Sequence, residues 1–426
     1  MRKQHDKQHS KPIIKNKFKP IQTGRLQGSH PTKMQIEEVT NLTQEKDFFD
    51  LPQKMYAKTP QWVRPMDNDI QGVFDKKANP AFKSGECTRF LLRKDSTPNS
   101  EIIGRVAVFV SEKTKNKNND QPTGGMGFFE CINDERAAFM LFDACKKWLT
   151  ERNCEAMDGN INFGGRDKFW GLLVEGFERE ANYQQNYNFP YYQQFFENYG
   201  FQVYFNQYTY FRKVYGLSQV VHDKANRIFE DKNYTFENIS LKNLPKYAED
   251  FRTIYNNSFA LAEGLNPMTK LEADKIMKKM KPIIDERLIT FGYHLGVPVA
   301  FGVFLPELNQ IFKYLNGKLD WIGKLKFVYY RFRKVCKRVL GVAFGVAKSH
   351  HGKGLDAALS VCLERETQKR NFPYTDLELN WIGDFNPPMI KLMQNLEFTI
   401  CKKHITYRKL FDENKVFVRH AIRSYS

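Results

Sequence analysis

The 426-residue chain has 66 Lys and Arg against 48 Asp and Glu, a net charge of +18, and its 41% hydrophobic content suffices for two cores of ordinary domain size. Its seven cysteines, an odd count, include no Cys-x-x-Cys pair, and no apolar run reaches the ~18 residues of a membrane span. Composition thus argues against a disulfide scaffold and a spanning protein, and predicts reduced thiols, no secretory leader and a cytoplasmic location.

The charge is local. Residues 1–35 hold nine Lys and Arg and one acid, Asp6, giving +8. This stretch is polar and aperiodic and reads as a disordered basic arm. A first domain is expected over 36–215. There IIGRVAVFV (102–110) and MGFFECI (126–132) are β-rich, and the second runs through a cap at Asn133 or Asp134 into the helix AAFMLFDACKKWLTE. No glycine loop joins that strand to its helix, and Asp134 and Glu135 would repel a phosphate. This half is expected to support the fold or shape a cleft.

A second domain is expected over 236–412. Its LGVPVAFGVF (295–304) matches the earlier β run, and a helical insertion is expected at about 307–338. Residues 318–338 carry eight Lys and Arg against Asp320, giving +7, so the two basic segments supply 15 of the 18 charges. Trp321, Leu325, Val328, Phe332, Val335 and Val339 share one helical stripe, while Lys324, Arg331, Lys334 and Arg338 crowd the polar face. Such a helix either packs its stripe on the core or makes a peripheral contact with an anionic membrane.

VLGVAFGVAKSHHGKGLDAAL (339–359) follows: an apolar run, a glycine loop and a helix start. Glycines let a backbone approach closely, and a helix start offers unpaired N–H groups and about half an elementary positive charge. The sequence points to a phosphorylated ligand, although the spacing is neither that of a Walker loop nor Gly-x-Gly-x-x-Gly. The plain alternative is a strand–helix connection capped by Asp356. His350 and His351 are adjacent, without chelating spacing, so no metal is expected.

The chain also repeats itself. Residues 188–213 (NFPYYQQFFENYGFQVYFNQYTYFRK) and 386–409 (NPPMIKLMQNLEFTICKKHITYRK) each open on Asn-x-Pro, continue as an amphipathic run, and place Thr-Tyr after a Phe (Phe201 with Thr209-Tyr210; Phe398 with Thr406-Tyr407). Two copies about 200 residues apart suggest duplicated domains rather than a solenoid.

The loop resembles the acyl-CoA loop of the GNAT acyltransferase superfamily, Arg/Gln-x-x-Gly-x-Gly/Ala. His351 stands at the Arg/Gln position, Gly354 at the central glycine and Asp356 at the final small residue. His351 and Asp356 depart from the pattern, and the carboxylate must point away from a pyrophosphate. The resemblance implies two tandem αβα domains with mixed, mostly antiparallel sheets. It places acyl-CoA, as co-substrate, on Phe344, Gly345, Val346, His351, Gly352, Lys353, Gly354, Leu355, Asp356 and Asn386, with a backbone N–H of Ala343–Val346 polarising the thioester.

In DLELNW (376–381), Asp376, Glu378 and Asn380 share one strand face, costly inside a layered fold unless they line a cleft or find partners. Fourth and fifth strands splay apart in GNAT folds, and Glu378 falls where that cleft would be. It is the candidate general base, with Asn380 and Trp381 as substrate contacts. The family's general-acid Tyr would fall on Met393, leaving Tyr407 as the candidate substitute. Cys362 lies within the expected helix and has no His partner by spacing.

PQWVRPM (60–66), GFFECINDE (127–135), GLLVEGFE (171–178), NPMTKLE (266–272) and LELNWIGDFN (377–386) resemble the bacterial ceramide-synthase-like branch of tandem GNAT proteins, over about residues 45–411. The branch implies acyl transfer, long chains included, from CoA to a primary amine such as a sphingoid base, in a ternary complex. An inactive GNAT-like binding protein ranks second. A tRNA-dependent aminoacyl transferase ranks third, because such an enzyme needs no CoA loop; nucleic acid is not the expected partner. Oligomeric state is left open.

Overall fold

The computed structural model describes residues 33–97, 100–117, 119–260 and 267–422. Most of the basic arm, 1–32, lies outside the described residues. The strands are β1 Gln35–Glu38, β2 Gly85–Arg93, β3 Ile102–Ser111, β4 Thr123–Cys131, β5 Ala156–Gly159, β6 Leu172–Glu175, β7 Gln202–Lys213, β8 Tyr234–Asn238, β9 Ile289–His294, β10 Val297–Pro306, β11 Arg338–Val346, β12 Asp376–Gly383 and β13 Thr399–Leu410.

Each half repeats one plan: antiparallel strands, a parallel pair joined by a helix, then a short helix and a long final strand. β4 and β5 are parallel in the first half, and β11 and β12 in the second; the other pairings are antiparallel. Asp134 caps the first crossover helix, Glu135–Thr150, accepting from the Arg136 and Ala137 amides.

The sheets of the two halves are continuous and make one sheet of thirteen strands. Its order is β1–β2–β3–β4–β5–β13–β7–β12–β11–β10–β9–β8, with β6 also on β13. The final strands are exchanged: β13 lies against β5 of the first half, and β7 against β12 of the second. The two repeated segments thus pair with each other, Thr406 opposite Phe205 and Thr209 opposite Lys402. The two long strands satisfy one another's backbone groups and remove the edge each half would otherwise expose. As a result Tyr407 is buried in the first half's core beside Phe196.

The insertion before β11 contains the helices Asn309–Phe312 and Trp321–Phe332. The second ends at Phe332, and Lys334 takes a positive φ of 51°, turning the chain toward the sheet. Arg338 and Val339, read from the sequence as helical, instead begin β11. Among the described residues no helix is long and apolar enough to cross a membrane.

Candidate functional site

β11 and β12 are paired only from Arg338 opposite Asp376 to Gly341 opposite Leu379. Beyond that they part. Val342 is the extra residue of a bulge against β10, between Gly341 (opposite Phe304) and Ala343 (opposite Val303), and it is 45% exposed. A bulge re-aims a strand, and here it stands where the strands separate. Ala347 N–H donates to Val299 O at 2.8 Å. Antiparallel alternation then turns the amides of Phe344 and Val346 toward the open side.

The glycine loop lies at the end of this strand. Gly352 and Gly354 have φ of +75° and +100°, in the left-handed region that glycine tolerates. The space beside Gly352 is open, while Gly354 approaches the carbonyl of Lys224. Helix Leu355–Thr367 starts at Gly354 with no side-chain cap, so its first amides are available to an anion. Lys348, His351 and Lys353 are exposed around it. The His351 imidazole is within 2.8 Å of Val346 O, and since a carbonyl only accepts, Nε2 carries the proton. Asp356 is the second residue of the helix and is half-buried. These residues fit a pyrophosphate at the loop.

Asn386 caps helix Pro387–Asn395 by accepting from Met389 N–H at 3.4 Å. That helix buries Met393 in the cluster that Phe344 and Val346 pack against, so the position carries no proton donor. Tyr407 is not brought to the loop: its hydroxyl donates to Glu197 at 2.9 Å, and burial followed by that carboxylate pushes its pKa up.

Glu378 is fully buried among cations. Lys402 lies 3.0 Å away, Arg338 3.3 Å and Arg179 3.4 Å. Burial alone would raise its pKa, but Lys402 and Arg338 outweigh it and hold the carboxyl below its ordinary value. Such a group holds cations well and accepts a proton poorly. Asn182 accepts from Lys402 at 2.8 Å, and Gln185 donates to Asn380 at 2.6 Å. Trp381 donates to Arg166 O at 3.3 Å. Residues 166–186 of the first half thus pack against β12 and form a buried polar cluster with it.

Glu307 lies beside this cluster at the end of β10, near Lys402 and Arg338. Its Oε1 accepts from Tyr183 N–H at 2.9 Å and Asn309 N–H at 3.0 Å, while Oε2 makes no hydrogen bond among the described residues. Burial pushes its pKa up to about 7. Arg179, Asn182, Gln185, Glu307 and Lys402 were not singled out from the sequence. Their one local signal was polar residues within strand-like and loop segments.

The equivalent opening of the first half is closed. β4 and β5 pair to Gly125 opposite Asp158, and then Ile161 N–H donates to Met126 O at 2.8 Å. Gly127 lies hard against the Ile161 carbonyl, and Ile161 and Phe163 are buried with Phe109. Among the described residues no three His, Cys, Asp or Glu side chains converge as a metal site. A cavity of about 200 Å³ beneath the basic helix, lined by Leu308, Ile311 and Phe327, does not include the loop.

The chain is similar to the bacterial ceramide synthase of Caulobacter vibrioides (strain NA1000 / CB15N), with 23% identity over 85% of this chain and 94% of that protein. Protein YghO of Escherichia coli (strain K12) is 22% identical over 88% of this chain and 95% of its own length. No family model matches. Among solved structures, a GCN5-related glucosamine N-acetyltransferase region of a fungal multi-domain GH3 β-N-acetylglucosaminidase superposes with a TM-score of 0.50 at 10% identity, over 89% of this chain and 38% of that longer one. The fold is that of GNAT proteins, present here in tandem.

Proposed function

From a tandem GNAT fold in a relative of the bacterial ceramide synthase, we propose that this protein is an N-acyltransferase that moves an acyl group from CoA to a primary amine. The observation that carries the reading is the parting of β11 from β12 at Gly341, directly before an uncapped glycine loop. In this reading the loop from His351 to Asp356 holds the pyrophosphate, and the amides of Phe344 and Val346 meet the thioester oxygen as it gains charge. The second half alone takes acyl-CoA, since Ile161 and Phe163 fill the opening in the first.

The amine enters beside the ion-pair cluster of Lys402, Arg338 and Arg179. Three cations face one ionised carboxylate there, and like charge lowers the affinity of an amine for its proton. The amine is thereby kept neutral and nucleophilic, and Glu378 serves to position the cations. As the C–N bond forms and the C–S bond breaks, the nitrogen passes a proton to water and CoA leaves as thiolate. No side-chain donor at Met393 protonates it.

The named function of the Caulobacter relative supports a long-chain donor and a sphingoid-like amine as acceptor. Such an acceptor arrives from a membrane, which the protein meets peripherally. Incubation with palmitoyl-CoA and a sphingoid base, reading free thiol and N-acyl product by mass, tests the reading. Equal thiol release with and without amine, and no amide, would reject it. A non-catalytic acyl-CoA-binding role is favoured by the buried Met393; it predicts CoA binding without turnover.

A further inference from the structure

Helix Trp321–Phe332 has two apolar faces. The inner one, Gly323, Phe327 and Tyr330, packs on the protein; Phe327 meets Phe312 and Tyr330 stacks on Tyr314 at 4.2 Å. The outer one faces water: Trp321 is 71% exposed, Leu325 62%, Val328 63% and Phe332 82%. At about 100° per residue these four fall within a narrow arc, which Tyr329 and Ile322 widen. Soluble surfaces rarely present so continuous an apolar strip without something to cover it.

The flanks of that strip identify the covering. Lys326 and Arg333 border it on one side and Lys324 on the other, and the three make no ion pair among the described residues. Arg331 instead turns inward to the carbonyls of Pro282 and Ile284. The segment 318–338 as a whole carries +7. An apolar strip with an aromatic at each end and cations on both flanks matches an anionic lipid surface: rings and aliphatic groups at headgroup depth, ammonium and guanidinium groups at the phosphates. A second copy of this face would bring +7 against +7, and a protein groove would not require cations on both sides.

We infer that helix Trp321–Phe332 seats the protein on an anionic bilayer, its outer apolar strip in the headgroup layer. The inference deepens the lipid-acceptor reading by supplying the surface from which such an acceptor is drawn, yet it stands on the helix alone.

The test is flotation of the full chain with vesicles of phosphatidylcholine and of an equal mixture of phosphatidylcholine and phosphatidylglycerol. The wild type should float with the mixed vesicles and much less with phosphatidylcholine, and high salt should release it. Lys324→Glu/Lys326→Glu/Arg333→Glu should weaken partitioning by about a hundredfold or more, each cation contributing about fivefold at such a surface. Trp321→Ser/Leu325→Ser/Phe332→Ser, all at exposed positions, should lose flotation while its melting temperature and any CoA-dependent shift stay unchanged. A wild type that remains below the mixed vesicles overturns the inference, as does self-association that the serine variant abolishes. Neither result bears on acyl transfer, and a Gly354→Glu protein should float normally.

Discussion

The Lys402 ammonium lies 3.0 Å from the Glu378 carboxylate, with both side chains closed to water. The strand exchange creates this contact: β13 brings Lys402 beside β7, and β7 carries β12 and Glu378 on its other side. Arg179, from the first half, completes the cluster. The two halves are therefore joined by charge as well as by backbone.

Removing that carboxylate takes from three cations the ion-pair partner they share. Glu378→Gln should destabilise the fold by about 3–5 kcal/mol, the range for breaking a buried ion pair. Urea unfolding checks this, and a loss below about 1 kcal/mol would show that the cluster is solvated.

The exchange also predicts how fragments behave. Residues 216–426 alone lack β7, and 1–215 alone lack β13. Each should fail to give a cooperative melting transition, and mixing the two should restore one. Independent melting of either fragment would contradict the exchanged arrangement.

Tyr407→Phe should cost about 1 kcal/mol, the value of its hydrogen bond to Glu197, and leave turnover unchanged. A large fall in kcat with unchanged stability would return this tyrosine to the chemistry.

Local features were legible in the sequence and partner choice was not. The glycine loop, the Asp134 cap and the repeated strands follow from residue type and spacing within about ten positions. Nothing local tells β13 to prefer β5 and β7, because strands pair through backbone groups that every residue type carries. Tyr407 accordingly looked available to the loop. Glu378 did sit on a polar strand face, as the alternation of 376–380 implied, but its meaning depended on Arg179 and Asn182, far away in sequence. The outer strip of the basic helix was also legible as a pattern. What the sequence could not say was which side Trp321, Leu325, Val328 and Phe332 would turn to water.

Glu307 gives the pH dependence a sign. Burial raises its pKa from about 4.5 to about 7, so the folded chain holds this proton more tightly than the unfolded one. Its contribution to stability is full below pH 4.5 and is lost as pH rises to 7. Glu307→Gln keeps both acceptor contacts and does not titrate. Between these pH values the wild type should therefore lose up to about 3 kcal/mol relative to the variant. A pH-independent difference in denaturant stability would mean that the group stays ionised.

The central claim is acyl-CoA binding at the glycine loop, and thermal unfolding of the full chain with CoA and palmitoyl-CoA tests it most directly. At about 100 times the dissociation constant, ligand should add about 2.7 kcal/mol to the wild type. Gly354→Glu, which puts bulk and negative charge into the loop at a φ of +100°, should still melt cooperatively but show no shift. No shift for the wild type with either ligand, or an equal shift in the variant, would contradict the account.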